Sequence, residues 1–189
     1  MPRGRGRSLL LLLFLAAVVG ARSGETSLSE PELTRYVAAQ FGSRFTPAAP
    51  TLGKNQPLLV TGDLDGDGTE DAVIIVRTKD ALADELKFGY KVIDPYDQFY
   101  GWGNAHDTAR FAAEDSDQMR VLLIVHSWRS ATPTAKFVVI NLPFDTLNIQ
   151  EITIKKHQRV VISAVEQDVL RSYVYWDGKR YRYEPGPME

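Results

Sequence analysis

Apolar positions recur at helical spacing near the start of the chain and then give way to β-patterned runs. Leu33, Tyr36, Val37, Gln40 and Phe41 share one helical face. Ser29-Glu30-Pro31-Glu32 has the residues of a capping box, Leu28 can staple onto Leu33, and Gly42 is placed as a stop. The spacing therefore predicts an amphipathic helix from Ser29 to about Phe41. Pro57 to Val60 and the β-branched run Ala72 to Val76 predict two strands, the second buried. Lys79 to Leu86 carries a weaker helical pattern.

The second half reads as strands separated by short polar turns: Met119 to His126, Lys136 to Leu142, Ile149 to Lys155, Arg159 to Val165 and Leu170 to Trp176. Trp176-Asp177-Gly178-Lys179 is a hairpin turn leading to a last strand, Arg180 to Tyr183. Glu184 to Glu189 reads as a loose tail, and Thr46 to Gln56, with Pro47 and Pro50, as a connector. The expected fold class is α+β. An N-terminal amphipathic helix packs on a mainly antiparallel meander that includes the strand pair on either side of residue 65.

The ends of the chain add a compartment to this picture. Residues 1 to 21 join Arg3, Arg5 and Arg7 to an apolar run from Leu9 to Val19 and a small-residue ending, the pattern of a secretory signal peptide cleaved near Ala21. That run is too short for a transmembrane helix, so the expectation is one exported α+β domain, residues 22–189, in the periplasm or outside the cell. There is no cysteine, hence no disulfide and no lipidated cysteine. Removing three arginines and no acid takes the formal charge from -2 to -5, which disfavours nucleic acid as a partner.

The candidate chemistry lies between the first two strands. Gly62-Asp63-Leu64-Asp65-Gly66-Asp67-Gly68-Thr69-Glu70-Asp71 places carboxylates at positions 1, 3, 5 and 9 counted from Asp63, a glycine at 6, and Thr69 at 7, where a backbone carbonyl can serve. Two carboxylates about 5 Å apart repel by roughly 3 kcal/mol at an effective dielectric of about 20, and four gathered in one loop multiply that cost. A hard divalent cation reverses the sign. Calcium, Ca2+, suits an irregular all-oxygen shell better than magnesium, and zinc or copper prefer nitrogen and sulfur. One Asp-Gly would suffice for an ion-free hairpin turn. Two of them, with Asp63 and Asp71 at ligand spacing, exceed what a turn needs. Leu64, Gly66 and Glu70 fall at the in-between positions and are left out of the ligand set.

An EF-hand would put a bidentate Glu at position 12 and continue into a helix, but position 12 here is Ile74. The loop with its following Ala-Val-Ile-Ile-Val strand resembles the calcium hairpin of FG-GAP and VCBS-type repeat proteins, the family that includes integrin-type propeller blades. The resemblance covers about residues 57 to 77. It implies calcium binding by Asp63, Asp65, Asp67 and Asp71, and with the Thr69 carbonyl these form the expected metal site. A propeller is not implied, because no second Asp-rich loop occurs and repeated blades are what that fold requires.

Further clusters of aromatic, histidine and basic residues are candidate sites. Phe88, Tyr90, Tyr96, Phe99, Tyr100, Trp102 and Phe111 crowd one connecting segment. They read first as rings folded over the sheet; as a ligand surface, Tyr96, Tyr100 and Trp102 are the candidates for a glycan or protein partner. His106, His126 and His157 are scattered and make no zinc motif. His126 reads as an ordinary strand-end residue, with Ser127 expected on the opposite face. Lys155, Lys156, His157 and Arg159 read as a solvated hairpin tip. The expected function is a non-enzymatic calcium-binding module, binding or accessory, of the cell envelope or extracellular space. The alternative is a secreted hydrolase with structural calcium.

Overall fold

A computed structural model describes residues 28–48, 56–101, 105–106 and 119–187, apart from the side chains of Tyr96 and Met119. Residues 1–27, with the segment expected to be a signal peptide, most of the Thr46 to Gln56 connector, Trp102 and Phe111 lie outside the described residues.

Helix α1, Glu30–Phe41, begins where the capping box predicts: the Glu32 carboxylate accepts the Ser29 N–H at 2.9 Å and the Ser29 hydroxyl as well. Strands β1 (Thr46–Pro47), β2 (Leu59–Gly62) and β3 (Asp71–Thr78) follow, then the one-turn helix α2 (Glu85–Phe88), β4 (Lys91–Ile93) and α3 (Pro95–Tyr100). The remainder is β5 (Met119–His126), β6 (Ala135–Val139), β7 (Thr146–Ile154), β8 (His157–Glu166), β9 (Leu170–Trp176) and β10 (Tyr181–Pro185).

These strands form two sheets, which corrects the expected fold class. The first runs β1-β3-β5-β6-β4 with β2 also on β3; the second is the meander β10-β9-β8-β7. Ten strands in two mainly antiparallel sheets, against helices of 12, 4 and 6 residues, make the described chain a mainly β structure. It is not an α+β fold organised by an N-terminal helix. The five late strands are likewise not one meander, since β5 and β6 belong to the first sheet and only β7 to β10 run on consecutively. One pairing is parallel: β4 lies beside β6, with Val92 opposite Val138.

Packing explains the partition. Along β3 and β5, Val73, Ile75, Leu122 and Ile124 face one way and meet Leu147, Ile162, Ala164, Val174 and Tyr181 of the second sheet. The alternate residues Ala72, Ile74, Val76, Leu123 and Val125 face the other way, toward Leu33, Val37 and Phe41 of α1 with Phe45 and Tyr90. A strand covered on both faces carries an unbroken apolar run, and that is why 72–76 and 121–125 show no alternation. Gly62 at the end of β2 fits closely here, because a Cβ would sit 3.0 Å from Cγ2 of Ile149 on β7.

One helical expectation shifts, and a segment expected as a loop holds a helix. Of the stretch expected as helix from Lys79 to Leu86, only Glu85 onward is helical; in the turn before it Asp80 Oδ1 accepts the N–H groups of Leu82 at 2.9 Å and Ala83 at 3.1 Å. In the aromatic segment, Asp94 caps α3 by accepting the Asp97 N–H at 2.9 Å, Pro95 opens it, and Gly101 closes it.

Candidate metal centre

The loop from β2 to β3 is shaped by its own carboxylates. Asp63 accepts the N–H of Gly66 through Oδ1 at 2.8 Å and that of Gly68 through Oδ2 at 3.0 Å. Asp65 Oδ1 accepts the N–H of Asp67 at 3.1 Å, and Asp67 Oδ1 accepts both the N–H and the hydroxyl of Thr69, at 2.7 and 2.5 Å. Those Thr69 bonds hold the Asp67 carboxyl below its ordinary pKa. Gly66 and Gly68 take φ of +80° and +85°, a region that side chains with a Cβ rarely occupy, and this lets the chain turn twice around the acids. Leu64, between the first two acids, is buried in the core between the sheets and anchors the loop from below.

Carboxylate oxygens of Asp63, Asp65 and Asp67, one from each, lie within 4.8 Å of one another and could hold a metal ion. Asp63 Oδ1, Asp63 Oδ2 and Asp65 Oδ1 each accept one loop N–H and retain a further lone pair, whereas Asp67 Oδ1 takes both Thr69 bonds. Asp71 joins a second group of the same span, made with Asp65 and His126. The expected acids are thus assembled as two triads that share Asp65. The first is all oxygen, as a hard cation requires; the second contributes an imidazole nitrogen.

Asp71 opens β3 fully buried. Its Oδ2 accepts the Leu64 N–H and its Oδ1 the Ser127 N–H, both at 2.8 Å, so one carboxylate ties the loop to the end of β5. Burial pushes its pKa up, against the pull of the Ser127 and Leu64 N–H groups. Ser127 has φ of +53°, which directs its N–H to this carboxylate, while its hydroxyl sits 3.0 Å from that of Thr69 and 3.3 Å from that of Thr134.

His126 is not an ordinary strand-end residue. It is 2% exposed, with Nδ1 3.0 Å from Asp65 Oδ2 and Nε2 2.6 Å from Tyr181 Oη. A neutral ring protonated at Nδ1 satisfies both contacts, donating to Asp65 and accepting from the phenol. Phe137, Trp176 and Tyr181 surround it with ring centroids 5.4 to 5.8 Å away. Burial, with the charges of Asp71 and Asp65, pushes the Tyr181 pKa well above its ordinary value and keeps that phenol a donor. Carboxylate, imidazole and hydroxyl stand in the order of a hydrolase triad, yet the hydroxyl is a phenol inside the core, 2% exposed, so this relay presents no nucleophile to a substrate.

Glu70 is engaged elsewhere: it accepts from Thr61 at 3.0 Å, Trp128 Nε1 at 3.0 Å and Arg129 at 2.7 Å. Of the candidate aromatics, Tyr100 ends α3 half-exposed against Phe99, Tyr96 lies within the same helix, and Trp102 is outside the described residues. His106 lies 3.3 Å from the Glu85 carboxylate, and His157 is exposed at the start of β8. Nothing in the sequence signals the part of Tyr181, whereas Leu64 sits at an in-between loop position, whose side chain is expected to point away from the ion and is buried in the core.

No protein-family model, curated protein or solved structure matches this chain. Among the described residues, no helix is long and apolar enough to cross a membrane.

Proposed function

We propose that this is an exported calcium-binding protein in which the ion clamps the β2–β3 hairpin, and that it acts as a non-enzymatic binding or accessory module of the cell envelope or extracellular space. The supporting observation is the convergence of Asp63, Asp65 and Asp67 within 4.8 Å, each carboxylate aimed by the loop's own N–H groups. Asp71 and the Thr69 carbonyl complete the proposed ligand set. When bound, calcium supplies the positive charge that offsets repulsion among these acids; the chain's part is to hold the oxygens in place. The proposed site is analogous to the FG-GAP-type calcium hairpin, present here in a single copy. The partner is a protein or glycan, and the buried Asp65–His126–Tyr181 relay lends a hydrolase no support.

Thermal melting in calcium, in magnesium and in a chelator tests it. Calcium at micromolar to millimolar levels raises the melting temperature, as expected of weak extracellular sites, and magnesium does so less. Identical curves in calcium and chelator overturn it.

A further inference from the structure

Away from the acidic loop, a groove of about 390 Å³ opens between α3 and the β7–β10 sheet. That volume falls within the usual range of small-ligand sites, roughly 300–1,000 Å³. Phe99, Tyr175 and Tyr183 supply its rings; Phe99 is 46% exposed at the lip and meets Tyr183 edge-on with centroids 5.6 Å apart. Tyr175 stands opposite Arg182 in the β9–β10 register, so an aromatic face and a charged rim lie side by side.

The charges of the groove are unevenly matched. Lys155 Nζ pairs with Glu184 at 2.9 Å, and Arg182 Nε pairs with Asp177 at 2.5 Å. Arg159 also lines the groove and is half-buried, and among the described residues its guanidinium makes no ion pair or hydrogen bond. A half-buried guanidinium with no counter-charge is a standing invitation to an anion. A polyanion would also meet Glu184 and Asp177, which repel it, whereas a neutral ligand would leave Arg159 unmatched. Carboxylates of that kind do accept hydrogen bonds from hydroxyls, and aromatic rings suit the apolar face of a ring ligand.

We propose that this groove binds an acidic sugar, a singly charged ring rich in hydroxyls such as a uronic acid, with its carboxylate on Arg159 and its ring against Tyr175 and Phe99. The rim carboxylates accept hydrogen bonds from its hydroxyls. The site draws on none of the residues of the acidic loop, so its success or failure is separate from that of the calcium reading.

Titrations of the full-length chain with glucuronate, glucose and inorganic phosphate at constant calcium, followed by NMR or calorimetry, test the proposal. Glucuronate binds saturably with Kd of about 1 mM or tighter, and glucose and phosphate bind at least about tenfold more weakly. Arg159→Gln loses about tenfold in glucuronate affinity, Arg159→Lys recovers part of it, and Leu86→Ala, fully exposed on α2, changes nothing. Absence of saturable glucuronate binding overturns the site. Equal binding of glucose removes the role of Arg159, equal binding of phosphate reduces the groove to a simple anion contact, and unchanged affinity in Arg159→Gln refutes the assignment. Should the Arg159 variants fail to fold, the three-ligand comparison on the unaltered chain decides alone.

Discussion

His126 and Tyr181 meet at 2.6 Å across the interface of the two sheets, one at the end of β5 and the other at the start of β10. Because His126 also contacts Asp65 at 3.0 Å, its imidazole bridges the acidic loop and the second sheet. Tyr181→Phe keeps the ring that packs on Phe137 and Trp176 but leaves Nε2 of a buried histidine without its donor. Urea denaturation is expected to show a loss of about 1–3 kcal/mol. A variant as stable as the parent would mean that the bond contributes nothing.

Asp65 and Glu70 separate the loop's two sets of acids. Asp65→Ala is expected to abolish the rise in melting temperature produced by calcium, since that carboxylate belongs to both triads. Glu70→Ala loses contacts to Thr61, Trp128 and Arg129 and so lowers the melting temperature, yet the calcium increment stays nearly intact. Loss of the increment in both variants refutes the ligand assignment.

Much of this was readable from the residues, and the limits have physical causes. Local chemistry placed α1, through Ser29 and Glu32, and the loop between β2 and β3, through its alternating acids. The run 72–76 announces a buried strand, but a strand covered on both faces gives no sign of which neighbour lies on which side, and the two-sheet division stays hidden. Helix α3 is too short for periodicity to register, although Asp94, Pro95 and Gly101 spell its two ends. His126 looked ordinary because its partner is 55 residues away, and a lone histidine in a sequence carries no record of such a contact.

Phe137 marks where the sheets meet, lying 5.7 Å from Trp176 and 5.2 Å from Tyr181 between ring centroids. Phe137→Ala is expected to cost about 3–5 kcal/mol through lost burial and the cavity left behind, read from chemical denaturation. A cost below about 1 kcal/mol would show that the rings close over the gap.

Asp177 gives a pH dependence of definite sign. Burial alone would raise its pKa, but Arg182 and the N–H groups of Arg180 and Lys179 outweigh it and hold the carboxyl at about 2. The unfolded value is about 3.9, so the ionised group stabilises the fold above that pH and the benefit fades as pH falls toward 2. Asp177→Asn is expected to cost about 1 kcal/mol near neutrality, after allowance for solvent screening, and close to nothing at about pH 2. A cost that does not vary with pH would assign the effect to the turn alone.

Asp71 has a consequence of another kind. In a sequence without cysteine, this carboxylate does the stitching that a covalent cross-link does elsewhere, gripping Leu64 with one oxygen and Ser127 with the other. Reductants and oxidants have no purchase on such a clasp, so the hairpin would hold equally well on either side of a redox boundary.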